Sequence, residues 1–429
     1  MIYRLPDRET HPTPRRKPSL LVLTHRVPCP PDRGDRIRAY HLIKGLAEAF
    51  DLTLAAVADE PITPATLVHL ESMVGRVLLS RSSPTRRHAS AARALVTGKA
   101  ITPAAMYDPS LAKSIARLHR LRPFDTVLTY CTGMIGYVKA LREAVPQHDF
   151  RHVLDLVDVD SRKWADYAES TRGPMRLIYQ AEARRLRAVE AGDVVPFDAL
   201  TVISDAESSR YRETVTDRHA PVVVNNGVDL DRFAPADEPA AKQPTNSPTI
   251  AFTGVMSYRP NVEAVRWFAE RIMPIVRDAH PDARFEIIGK SPTPAVAALD
   301  SLPGVRVVGA VADTAEYLRR ASLAVAPMRT APGVQNKVLE AMACGLPVVC
   351  SPPAASGIDA QVGRDLVVAD GVDATASACS RLLADADERR ALGRAARRRV
   401  ETRYRWSVTI RPMLDLLRPA TRPPLAQSA

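Results

Sequence analysis

Glu340 is the one acidic residue in GVQNKVLEAMACGLPVV (333–349), a stretch that opens on a glycine, runs as a helix and closes on Gly-Leu-Pro. A glycine before a helix leaves the amides of Gly333, Val334, Gln335 and Asn336 free to face an anion or a sugar hydroxyl. Lys337, one turn in, adds charge to the positive end of the helix dipole. Two turns along, the Glu340 carboxylate can accept two hydrogen bonds from a ribose diol. The competing reading is an ordinary helix whose Glu340 faces solvent.

Two more glycine turns follow apolar runs. In THRVPCPPDRGDRIRAYHLIKGL (24–46), Gly34 stands just before a helix, where a backbone can approach a ligand; a plain turn with no ligand explains it equally well. In FTGVMSYRPNVEAVRWF (252–268), Gly254 ends a strand and Arg259 follows. Its guanidinium fork fits the oxygens of a diphosphate, although a solvated surface arginine is an even competitor. LDLVDVDSRKW (154–164) sets Asp155, Asp158 and Asp160 at or after a strand end. Carboxylates there can orient a substrate hydroxyl or bind a metal, while Asp160 or Ser161 can instead cap the next helix. The ten histidines form no H-x-x-x-H pair on a helix, and no G-x-S-x-G, Walker or G-x-G-x-x-G pattern occurs.

These residues need a scaffold that brings loops together. Apolar runs at 19–25, 51–58, 76–80, 125–130, 152–159, 199–204 and 221–226 read as strands, with helices at 36–50, 108–120, 133–144, 160–191 and 205–214 between them. After the Pro- and Ala-rich segment 233–248 the alternation restarts, with strands at 249–254, 284–290, 305–311, 323–328, 347–351 and 365–370 and an Arg-rich helical stretch at 386–418. Continuous apolar strands between amphipathic helices predict α/β architecture: two doubly wound, Rossmann-like domains facing a cleft beyond their strands' carboxyl ends.

The 429 residues suit two domains, and 46% hydrophobic with 25% charged residues is a globular balance. The net charge of +11 favours acidic partners without choosing among them. Nucleic acid is disfavoured because the arginines are dispersed and aromatics are only 5%. SRSSPTRRHASAARALVTGKA (80–100) interleaves Arg86, Arg87, Arg93 and Lys99 with small apolar residues and reads either as a solvated basic helix or as a surface for anionic lipid. Five scattered cysteines without a CxxC pair argue against a disulfide framework, and the N-terminus lacks an apolar core for a signal peptide. A cytoplasmic protein, with peripheral contact at the inner membrane as an option, is the expectation.

VNNGVDLDRFAP (224–235), NKVLEAMACGLPVV (336–349) and YRWSVTIRPML (404–414) together resemble the family 4 glycosyltransferases of GT-B fold. LDLVDVDSRKW, FTGVMSYRPNVEAVRWF and GVQNKVLEAMA, in that order, are similar to the sugar transferases of exosortase/PEP-CTERM exopolysaccharide systems; the resemblance spans about residues 18–418. It implies an acceptor-binding domain at 18–232, a linker at 233–248, a nucleotide-sugar-binding domain at 249–403 and a helix at 404–418 crossing back to the first domain, between tails 1–17 and 419–429. It implies sugar transfer with retention from a nucleotide-diphosphate sugar to a lipid-linked or glycan acceptor, without metal or other cofactor. Glu340 would hold the ribose. Gly34, Gly254, Lys290, Gly333, Val334, Gln335 and Asn336 would complete the donor site, with Arg259, Lys337 and Asp158 as catalytic candidates. The family motif carries two glutamates eight positions apart, and here Pro332 occupies the first; the family's usual acceptor-side histidine has no match, and Asp155 or Asp158 falls in its region. A nucleotide-sugar 2-epimerase of the same fold and a non-catalytic binding protein are the alternatives.

Overall fold

The computed structural model describes residues 17–58, 60–81, 83–235, 247–329 and 333–418. The tails, linker residues 236–246 and Pro332 lie outside them.

Seven strands, β1 (Ser19–Thr24), β2 (Asp51–Ala58), β3 (Arg76–Arg81), β4 (Thr126–Tyr130), β5 (Arg151–Val157), β6 (Ala199–Val202) and β7 (Val222–Val223), form a parallel sheet in the order β3-β2-β1-β4-β5-β6-β7. Six more, β8 (Thr249–Thr253), β9 (Arg284–Ile288), β10 (Val305–Gly309), β11 (Leu323–Ala326), β12 (Val348–Cys350) and β13 (Val367–Val368), form a second parallel sheet, β10-β9-β8-β11-β12-β13. Both orders reverse beside the first strand, between β1 and β4 and between β8 and β11, which opens a crevice at the carboxyl ends of those strands. The architecture is therefore two Rossmann-like α/β domains.

Strand β1 shows why the runs are apolar throughout. Leu21 and Leu23 pack into one core, while Leu20 and Val22 pack into another on the opposite face. Successive strand residues point to opposite faces, and helices cover both. The second core includes residues from the far end of the chain: Ile410, Met413 and Leu417 pack with Leu42 and Leu46 of the helix Gly34–Ala49. Around them Thr126 Oγ1 donates to the Leu417 carbonyl at 3.0 Å, and Trp406 stacks on His41 with ring centroids 4.7 Å apart. The chain after Arg403 thus crosses from the second domain onto the first.

Two long helical predictions break into pieces. The stretch 160–191 is two helices, Asp160–Ser170 and Pro174–Glu190, because Gly173 takes φ +77° and Pro174 starts the second. The stretch 386–418 is three, Ala386–Arg403, Trp406–Thr409 and Arg411–Leu417. The first break is where the chain leaves the second domain: the Val228 amide donates to the Tyr404 carbonyl at 2.7 Å, and the Asp359 amide donates to the Tyr404 hydroxyl at 2.6 Å.

Candidate active site

The two sheets' carboxyl ends face a cavity of about 1110 Å³, lined from both domains. That slightly exceeds the roughly 300–1,000 Å³ common for small-molecule sites and leaves room for two substrates. Backbone strain gathers here. Cys131 after β4 (φ +66°), Val157 at the end of β5 (φ +68°) and Ser291 beyond β9 (φ +58°) are left-handed without being glycine, and Cys131 and Val157 line the cavity. Such conformations cost on the order of 1–3 kcal/mol each and persist only where the surroundings impose them.

On the second domain's side, β8 and β9 end in interlocked glycines. A Cβ on Gly289 (φ +152°) would lie 1.6 Å from the Gly254 carbonyl oxygen, so neither strand end can carry a side chain between them. Asn261 then turns back into the cleft: its Nδ2 donates to the Val255 carbonyl at 2.9 Å and its Oδ1 accepts from Lys337 Nζ at 2.5 Å. The Lys337 ammonium also lies 4.5 Å from the centroid of the Phe252 ring. Lys337 belongs to the helix Asn336–Ala343, whose N-cap Gln335 supplies no side-chain cap. Burial pulls the Lys337 pKa down to about 7, with Glu340 opposing. Burial likewise pushes the Glu340 carboxyl up to about 7, against the pull of Arg232 and Lys337. An ammonium and a carboxyl sit on one short helix at the cleft floor, both poised near neutrality.

The first domain supplies the opposite wall. Asp158 Oδ1 is sealed from solvent without a hydrogen-bond partner among the described residues. It lies 2.8 Å from where a Cβ on Gly333 (φ +66°) would be, so a glycine there lets the two domains approach. Burial, then Glu207 and Asp160, push the Asp158 pKa to about 7. Lys163 stands beside it: burial acts against its charge, but Asp160, Tyr167 and Asp158 outweigh burial and hold its pKa above the usual lysine value. Lys290 reaches across the cleft to Asp32 at 2.5 Å, and Asn226 Nδ2 donates to Asn336 Oδ1 at 2.9 Å.

The structure therefore brings together Gly34, Gly254, Lys290, Val334, Gln335, Asn336, Lys337, Glu340 and Asp158 around one cavity, with Gly333 against Asp158. Arg259 is the correction. It opens the helix Arg259–Trp267, its side chain is 84% exposed, and it pairs with Glu263 one turn on at 2.7 Å, outside the cavity lining. The helix start aims residue 259 outward and buried Asn261 inward. Sequence reasoning missed Asn261, Lys163 and Arg232. Lys163 follows Asp160 at helical i,i+3 spacing, which was a usable signal. Asn261 and Arg232 lay inside quoted motifs with nothing in their spacing to single them out. Among the described residues no group of three or more His, Cys, Asp or Glu is placed to hold a metal ion.

Comparison with known proteins agrees with the fold. Residues 247–385 match the family described as glycosyl transferases group 1. That match takes in the second sheet, β8 to β13, so it is this domain that is similar to the group 1 glycosyl transferases. The chain is 26% identical over 347 residues to the D-inositol 3-phosphate glycosyltransferase of Kribbella flavida, covering 73% of this chain and 76% of that one. It is 28% identical over 248 residues to a GDP-mannose-dependent monoacylated alpha-(1-6)-phosphatidylinositol monomannoside mannosyltransferase of Corynebacterium glutamicum, covering 52% of this chain and 63% of the relative. Sucrose-phosphate synthase from Thermosynechococcus elongatus shares the fold with a TM-score of 0.68 at 18% identity, covering 93% of this chain and 98% of that one. Anabaena HepE in complex with UDP and glucose does so with a TM-score of 0.64 at 13% identity, covering 93% and 99%.

Proposed function

We propose that the protein is a retaining glycosyltransferase that moves a sugar from a nucleotide-diphosphate sugar to a lipid-linked or growing glycan acceptor in exopolysaccharide assembly. The observation that carries the reading is the pairing of Lys337 and Glu340 on one helix at the cleft floor, with Asp158 facing them from the other domain. In this reading Glu340 accepts the ribose hydroxyls, and Lys337, Lys290 and the first amides of the helix Asn336–Ala343 hold the diphosphate. Breaking the sugar–phosphate bond builds negative charge on the departing phosphate, which fixed cations and amides stabilise. The acceptor oxygen bonds to the anomeric carbon on the face the phosphate leaves, and the acceptor proton passes to that phosphate. Asp158 orients the acceptor hydroxyl. No metal takes part in these steps. Trapping a covalent glycosyl–enzyme species would sink the retention mechanism.

A surface beside the cleft supports a membrane-bound acceptor. Between Arg81 and Asp108 the sequence has no acidic residue. The helix Pro84–Val96 exposes Arg93, holds Arg87 half-buried and leaves Val96 88% exposed; Arg185 of a neighbouring helix joins it by donating to the Lys99 carbonyl at 3.0 Å. The next helix, Ile101–Met106, contributes Thr102 and Met106 to the cavity. Among the described residues no helix is long and apolar enough to cross a membrane.

Calorimetric titration with UDP, GDP and ADP, without metal, tests the donor site. One nucleotide binds tightly, and Glu340→Ala weakens it by roughly 1.5–3 kcal/mol, the scale of a hydrogen bond to a charged group. If none binds, the donor site is wrong. Turnover of the sugar nucleotide without acceptor would instead favour the 2-epimerase.

A further inference from the structure

Arg38 is buried on the helix Gly34–Ala49, and each of its three side-chain nitrogens donates a hydrogen bond. Its Nε and Nη2 donate to the two carboxylate oxygens of Asp155 at 3.1 Å each, and its Nη1 donates to the Val224 carbonyl at 2.8 Å and to Asn226 Oδ1 at 3.1 Å. Thr201 Oγ1 donates to the same Asp155 at 2.9 Å. A guanidinium can only donate. Asn226 must therefore turn its oxygen to Arg38 and its amide nitrogen away. That nitrogen donates to Asn336 Oδ1 across the domain boundary at 2.9 Å, which turns the Asn336 amide in its own way. Asn336 Nδ2 is left without a hydrogen-bond partner among the described residues, 3.7 Å from where a Cβ on Gly34 would stand, in the cavity.

We infer that Arg38, acting through Asn226, is a positioning residue that fixes the Asn336 amide with its N–H₂ facing the cleft, where it donates to an oxygen of the donor's sugar-phosphate portion. The inference rests on the nucleotide-sugar reading above. A free Asn amide can flip and offer either oxygen or nitrogen; one locked by a donor-only residue two steps away offers only hydrogen-bond donors. The site thus prefers acceptor-rich oxygens to groups that donate. The chain also spans both domains, so the donor is presented only when the domains meet.

The test inverts the polarity at nearly constant shape. In Asn226→Asp the carboxylate still satisfies Arg38 but cannot donate, so Asn336 must turn its N–H₂ toward residue 226 and its oxygen into the cleft. Asn336→Asp puts an acceptor there directly, at a half-buried position that does not threaten the core. Binding of UDP-glucose and GDP-mannose, and of UMP and GMP, is measured for wild type and both variants, with thermal unfolding as the fold control. The sugar nucleotide that wild type binds loses about tenfold affinity or more in both variants, the scale of one hydrogen bond to a charged group. The matching monophosphate keeps its affinity. A purely structural role would lower both ligands together. Wild-type affinity in Asn336→Asp, or equal losses for sugar nucleotide and monophosphate, overturns the inference. If wild type binds none of the four, the donor-site reading fails first and this one falls with it.

Discussion

Lys337 and Glu340 are separated by less than one helical turn, and burial moves their pKa values toward each other until both titrate near about 7. Such a pair responds to pH as a unit. A donor site needs the ammonium charged and the carboxyl ionised, so kcat/KM follows a bell centred near neutrality. It falls on the acid side as Glu340 gains a proton and on the alkaline side as Lys337 loses one. Lys337→Met removes the alkaline limb; a pH–rate profile that keeps it assigns that limb elsewhere. Asp158 gives a second prediction of opposite sign for stability and activity. Its pKa is raised from 3.8 to about 7, so between those values the folded state binds more protons than the unfolded chain and stability falls as pH rises. Asp158→Asn therefore raises the melting temperature at pH 8 relative to wild type. The gain shrinks toward pH 4, while turnover drops about 10²-fold or more with the loss of acceptor orientation. A melting temperature unchanged at pH 8 would show that Asp158 is not a buried acid. The residues most legible in the sequence were those whose chemistry follows from position on a helix: Glu340 and Lys337 sit where spacing puts them. Arg259 was misread because proximity to a strand end says nothing of which way the first helical residue points, and buried Asn261 two residues on reaches Lys337 instead.

At the scale of elements, glycine contacts fix how closely the strands and helices of the second domain approach. Gly289→Ala brings a methyl into the Gly254 carbonyl, and Gly393→Ala meets the Gly345 carbonyl oxygen 2.0 Å away. Both lack a flexible side chain that could yield, so each destabilises by about 3 kcal/mol or more in chemical unfolding. A Gly393→Ala protein of wild-type stability would show that the helices Asn336–Ala343 and Ala386–Arg403 can separate freely. Element order and type were legible because parallel strands covered on both faces are apolar along their whole length. The breaks within 160–191 and 386–418 were harder to see. Gly173-Pro174 was present as a stop signal inside a long amphipathic pattern, but nothing near Tyr404 marks a helix end. There the break comes from tertiary hydrogen bonds to Val228 and Asp359.

For the whole molecule, the basic surface around the helix Pro84–Val96, where among the described residues Arg86 alone is shown paired, with Asp108 at 3.0 Å, gives the charge of +11 a direction. Flotation with vesicles holding anionic phospholipid should carry the protein upward at low salt and release it at high salt, because exposed charge pairs are screened within about 10 Å at 0.1 M salt. Vesicles of neutral lipid leave it behind, and Arg87→Glu with Arg93→Glu weakens anionic binding at unchanged nucleotide affinity. Equal binding to neutral vesicles would remove charge as the cause. This surface was visible in the sequence as a charge run; its position beside Thr102 and Met106 of the cavity was not, because it depends on how the sheet folds back.

The crossing segment has a further consequence in time. The chain emerges from the ribosome amino end first, and strands β1 to β7 are complete some two hundred residues before Ile410, Met413 and Leu417 exist. The domain synthesised first is thus the one finished last. Until those three residues emerge, one face of its sheet is covered only in part, by the helix Gly34–Ala49, and the rest stays exposed to chaperones or to neighbouring nascent chains.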